Sequence, residues 1–147
     1  MIKIIFDDGG RKTAGFKGEA SDCVARAIAI AADRPYREVY DALAHGNGMQ
    51  RATRRTGKQP RSARNGVITQ RQWFKDYMTS LGFVWHPTMQ IGSGCKVHLR
   101  ADELPPGRLV VMVSKHSAAV IDGVLHDTHD CSRNGTRCVY GYWKLQG

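Results

Sequence analysis

Asp122-Gly123 separates two short apolar runs, 116–121 and 124–128. This dipeptide is among the strongest local signals for a two-residue β-hairpin, because both central residues of a type I′ turn need positive φ. With Asp122 and Gly123 at the centre, cross-strand partners sum to 245, so Ala118 faces Asp127 and His116 faces His129. His116 and Asp127 then become diagonal neighbours on one sheet face, roughly 7–8 Å apart along the backbone and within reach of a side-chain hydrogen bond.

Around this hairpin the chain reads as helices followed by strands. Ile2, Ile4 and Phe6 alternate as a short first strand that Asp8-Gly9-Gly10 stops. Val24, Ala27, Ile28 and Ala31 recur at helical spacing, with Ser21 as expected N-cap and Asp22 set against the positive end of the helix dipole. Pro35 closes that helix, and Asp33 is the expected N-cap of a second with Tyr36, Val39, Tyr40 and Leu43 on its apolar stripe. Thr69-Gln70-Arg71-Gln72 matches a capping box for a third helix through Trp73, Phe74, Tyr77, Met78 and Leu81, ended by Gly82. Strands are expected at 83–85, at 109–113, where the apolar run is continuous, and at 139–145. The fold class expected is α+β, a single domain over residues 1–147 with N-terminal helices packed on a small, mostly antiparallel C-terminal sheet.

Charge is concentrated in one segment. The net charge is +9, yet eight of the 22 Lys and Arg lie between Ala42 and Lys75, where there is no acid. Between His45 and Gly66 no hydrophobic period survives, so this is expected to be a long basic loop. If it binds, Arg51, Arg54, Arg55, Lys58, Arg61 and Arg64 suit phosphates or an acidic protein, and the absence of aromatics argues against base stacking. The bland reading is a solvated, flexible face.

The chain has no apolar run long enough to span a bilayer and no signal-like start, so a cytoplasmic protein is expected. Its four cysteines, Cys23, Cys95, Cys131 and Cys138, form no C-x-x-C pair and fit neither a disulfide framework nor a standard zinc motif.

Taken alone, Cys23 reads as a small buried hydrophobe. At the start of a helix, with a His and an Asp in register elsewhere, it reads as a nucleophile. A carboxylate on one imidazole nitrogen fixes the tautomer and leaves the other to take the thiol proton. Free N–H groups at the helix start lower the thiol pKa below its usual value of roughly 8.5 and can hold an oxyanion. Cys23, His116 and Asp127 are therefore the catalytic candidates, with Asp22 and His129 as auxiliaries; His129 is either an alternative base or a substrate-side contact.

This order resembles the papain-like cysteine peptidase superfamily, and most of all its compact members, the double-glycine leader peptidases and the cell-wall amidases. The matching residues are Asp22-Cys23 on the helix, His116 in Lys115-His116-Ser117, and Asp127 in Leu125-His126-Asp127-Thr128. The resemblance covers about a third of the chain. It implies a cysteine hydrolase or acyl transferase on a peptide or other acyl substrate, without cofactor. One departure is the lack of Gln in Phe16-Lys17-Gly18-Glu19-Ala20, where many members place an oxyanion donor. The whole chain also resembles uncharacterised phage and prophage proteins, through Gly92-Ser93-Gly94-Cys95 and the run from His126 to Asp130.

Two other readings accompany this one. His126, Asp127, His129, Asp130, Cys131 and Cys138 contain zinc-type ligands, but His126 and His129 fall on opposite faces of a regular strand, so no metal is expected. The alternative function is a non-enzymatic phage protein that binds nucleic acid or an acidic host factor through the basic loop, on an inactive papain-like scaffold.

Overall fold

A computed structural model describes residues 2–15, 22–49, 69–90 and 92–146. Among these it is α+β: three helices, α1 (Cys23–Ala32), α2 (Tyr36–Met49) and α3 (Gln72–Ser80), and six strands. The strands are β1 (Lys3–Phe6), β2 (Phe83–Pro87), β3 (Arg108–Val113), β4 (His116–Ile121), β5 (Val124–Asp127) and β6 (Val139–Leu145), in the sheet order β1-β5-β4-β3-β6-β2. Every neighbouring pair is antiparallel except β1 with β5, so the sheet is mixed. The basic-loop residues Arg51, Arg54, Arg55, Lys58, Arg61 and Arg64 lie outside the described residues.

The hairpin around Asp122-Gly123 takes the register that its turn dictates. Ala119, Val120 and Ile121 pair with His126, Leu125 and Val124, and both turn residues have positive φ, 48° and 78°. The ladder stops there. Ala118 and His116 do not meet their expected partners as ladder pairs, while on the opposite edge of β5 Asp127 pairs with Phe6 of β1 and its carbonyl accepts from the Asp7 amide at 3.0 Å. A second tight hairpin was not expected: Val113 pairs with His116 across Ser114-Lys115, with Lys115 at φ 58°.

Strand alternation divides the core into two. Val110, Met112, Ala119 and Trp143 face the helices. Leu109, Val111, Val113, Val120 and Leu125 face the other side, covered by Leu99, Leu104 and Cys131. This is why 109–113 is apolar at every position: the strand is buried on both faces. Helix α1 buries Val24, Ala27, Ile28 and Ala31 as its spacing demands, with Ala25 and Ala29 as well. At about 1.5–3 kcal/mol for each large apolar side chain buried, a one-residue rotation of this helix would be costly. That burial sets the direction of its first residue, Cys23.

Several boundaries differ from expectation. Asp33 does not start α2 but ends α1, in the left-handed conformation at φ 53°, with the Arg34 amide reaching back to the Ala29 carbonyl at 3.0 Å. Helix α2 continues past His45 to Met49, because Gly46 and Asn47 are buried and Gly46 receives the Trp73 indole; a Cβ there would lie 2.2 Å from the ring. That packing overrides the poor helix propensity of Gly46 and Gly48. The capping box at Thr69 does not form: α3 starts at Gln72, flanked by Arg71 with no side-chain cap. Strand β1 buries neither face, all four of its residues being exposed on the sheet edge.

Cys95 and Cys138 form a disulfide, which corrects the reading that the cysteine spacing fits no disulfide framework, while Cys23 and Cys131 are free. They are 43 residues apart, but a bridge between His98 and Cys138 and a Val139 amide bond to the Val97 carbonyl at 2.8 Å bring the two segments together, with Cα atoms 5.9 Å apart. Bonds of this kind persist in oxidising surroundings. No helix among the described residues is long and apolar enough to cross a membrane.

Candidate active site

Cys23 is the first residue of α1, where the helix N–H groups have no intrahelical acceptor. Ser21, its expected N-cap, and the stretch from Phe16 lie outside the described residues. Asp22 flanks the helix instead, but its carboxylate does not cap it. It is buried and takes Arg26, the Tyr36 hydroxyl and, at 3.0 Å, the Arg11 Nε. Asp22 is thus an anchor that ties the chain before α1 to the first turn of α1 and the start of α2. Its bonds to Tyr36 also hold that phenol neutral, burial first and then the Asp22 carboxylate pushing its pKa up.

His116 is the first residue of β4, immediately after the Ser114-Lys115 turn. Its Nε2 lies 2.7 Å from Asp127 Oδ2. The other carboxylate oxygen, Oδ1, accepts from the Thr128 amide at 2.7 Å. Both partners are largely withdrawn from solvent, at 12% and 4% side-chain exposure, so the bond is little screened.

Half-buried Cys23 completes the arrangement: the His116 ring and the Ser117 backbone N–H both act on its thiol in the direction that favours the thiolate. Ser117 points its amide toward β5 by strand alternation, beyond the point where the β4–β5 ladder ends, which leaves that N–H available to sulfur. With Nε2 held by Asp127, Nδ1 is the nitrogen left for the thiol.

The electrostatics favour an ion pair. Burial raises the Cys23 pKa, but the His116 hydrogen bond and charge, the Ser117 amide and the Arg26 charge outweigh it and leave the thiol below its ordinary value. For His116, burial acts downward and is exceeded by bonds to Asp127, Cys131 and Cys23, which lift it to about 11. Asp127, despite burial, is held below the usual carboxylate range by His116, the Thr128 amide and Cys131. All three shifts favour thiolate, imidazolium and carboxylate together.

His129 is exposed, and its ring lies 5.2 Å from that of His116, centroid to centroid. It stands beside the imidazole rather than opposite it in a ladder. His126 is elsewhere: its Nδ1 is 3.7 Å from Asp7 Oδ2, by a roughly 300 Å³ cavity that Asp33, Arg34 and Arg108 also line.

Cys131, which the sequence offers only as one of the zinc-type residues, joins the site. It is a free, buried thiol whose sulfur, a His116 ring nitrogen and an Asp127 oxygen all lie within 4.8 Å of one another. It stands four residues past Asp127 in a polar loop, where strand periodicity no longer says which way a side chain points. N, O and S donors of this kind suit zinc. Here, however, the nitrogen and oxygen share a hydrogen bond at 2.7 Å, so a metal would have to displace the proton that joins them. Of the other zinc-type residues, Cys138 is in the disulfide and His126 lies against Asp7, whereas His129 stays beside His116.

Compared with protein-family models, curated proteins and solved structures, the chain matches none.

Proposed function

We propose that the protein is a cysteine hydrolase or acyl transferase of papain-like type, acting on an amide, isopeptide or thioester bond. The observation that carries this reading is one imidazole, His116, bonded to the Asp127 carboxylate at 2.7 Å and placed to act on the Cys23 thiol so that its thiolate is favoured. The chain order supports it too: nucleophile at the start of a helix, His at the start of a strand, acid on the next.

The Cys23 thiolate attacks the carbonyl carbon of the substrate, forming a C–S bond and moving the π electrons onto oxygen. N–H groups at the start of α1, the Cys23 amide first, face that oxyanion. His116, as imidazolium, gives its proton to the leaving nitrogen or sulfur as the bond to carbon breaks, leaving a thioester on Cys23. Water or an acceptor amine then attacks the thioester, His116 takes its proton, and the thiolate departs. Asp127 keeps the ring oriented and stabilises its charged form throughout.

Incubation with small acyl thioesters followed by mass spectrometry tests the reading. The expected result is an acyl adduct on Cys23 in the native protein, lost in Cys23→Ala and strongly slowed in His116→Ala. Acylation that is equally fast in His116→Ala, or that falls on other residues, would contradict it.

A further inference from the structure

We infer that Cys131 is a positioning residue of the proposed Cys23-His116-Asp127 site, its thiol bridging the His116 imidazolium and the Asp127 carboxylate. The inference rests on the functional reading above.

The geometry is a closed triangle: sulfur, ring nitrogen and carboxylate oxygen within 4.8 Å of one another. Cys131 is only 3% exposed and Asp127 4%, so bulk water has little access to this side of the pair. Buried acceptors need donors from the protein. An ionised carboxylate has about four lone-pair sites. The Thr128 amide and His116 fill two of Asp127's at 2.7 Å each, and the Thr128 hydroxyl approaches a third at 3.5 Å. A thiol has both a weak donor and a weak acceptor, so S–H can serve the carboxylate while the sulfur lone pair faces the imidazolium. The Cys131 contact acts on both groups in the direction this requires, upward for His116 and downward for Asp127.

The loop that carries Cys131 is built to hold it. Next in sequence, buried Ser132 bonds Asp130 Oδ1 through its amide at 2.9 Å and its hydroxyl at 2.6 Å. Arg137 bonds the Ser114 carbonyl in the turn that launches His116. Cys138, at the end of the loop, is fixed by the disulfide. The turn before His116 and the loop after Asp127 are therefore joined to each other, with Cys131 between them.

The test is peptide-resolved alkylation of Cys23 by iodoacetamide as a function of pH, in the native protein, Cys131→Ala, Cys131→Ser and His116→Ala, with circular dichroism to establish folding. Loss of the bridge in Cys131→Ala should move the alkylation curve to higher pH and slow the reaction near pH 6 by about three- to tenfold. Cys131→Ser keeps a donor and an acceptor and should stay within about twofold of the native rate on the same ground. Should Cys131→Ala fail to fold, Cys131→Val, which fills the space without a donor, takes its place. A native profile in the Ala or Val variant overturns the inference, as does a Ser variant shifted as far as Ala, which would point to lost packing alone. If His116→Ala leaves the Cys23 profile unchanged, the functional reading itself fails and this inference with it. A shift in His116→Ala with none in Cys131→Ala removes only the role given to Cys131.

Discussion

His116 Nε2 and Asp127 Oδ2 lie 2.7 Å apart although the hairpin ladder that connects their strands has already ended, at Ala119 and His126. The bond is thus made by side chains across strand ends, where room remains for the Cys23 sulfur. Its contribution to stability has a defined pH window. Asp127 has a lowered folded pKa, so its share is present above the unfolded value of 3.8 and is lost as pH falls through the folded one. His116 has a raised folded pKa, about 11 against 6.5, so its share is complete below 6.5 and is lost as pH rises toward 11. The stability gap between the native protein and Asp127→Asn should therefore be widest between about pH 4 and 6.5 and narrow on both sides. Urea unfolding at pH 3, 5.5 and 9.5 reads it, and a gap independent of pH would argue against the ion pair.

Asp22 is the counter-charge for two arginines whose side chains are only 12% and 13% exposed. Asp22→Ala should cost about 3–5 kcal/mol, the usual penalty for stranding buried charge, and chemical denaturation measures it. Asp22→Asn, which can still bond Tyr36, should cost less.

Gly46 sits inside a helix, where alanine would ordinarily be favoured by about 1 kcal/mol. Gly46→Ala should nevertheless destabilise by about 1–3 kcal/mol, because the new methyl would meet the Trp73 ring. Thermal unfolding gives the sign, and a changed tryptophan fluorescence spectrum identifies the neighbour.

Removing the disulfide in a Cys95→Ala, Cys138→Ala double variant reopens a loop with a sequence separation of 43. The chain-entropy account puts the cost at about 4 kcal/mol. Denaturation of the variant and of the oxidised protein should differ by that order, and equal stability would mean that the bond constrains little.

What could be read from the sequence was whatever is set by local chemistry. The Asp122-Gly123 turn fixed the register of its own hairpin, and through it the approach of His116 to Asp127; the 3.6-residue spacing of Val24, Ala27, Ile28 and Ala31 put Cys23 at a helix start. Legibility failed where distant segments decide. Trp73 packing on Gly46 carries α2 beyond the residues whose own propensity would form it. Cys95 finds Cys138 through an isolated β-bridge that no local pattern announces, and Cys131 reaches the site from an irregular loop. Asp22, set at the helix start by its type, is used as a buried anchor because Arg11, Arg26 and Tyr36 converge on it.

Activation of Cys23 by His116 is read by the pH dependence of Cys23 alkylation in the native protein and in His116→Ala. The native thiol should stay reactive well below the free-cysteine value of roughly pH 8.5, and the His116→Ala curve should be displaced to higher pH. An ordinary thiol curve in the native protein, unchanged when the imidazole is removed, would contradict that activation.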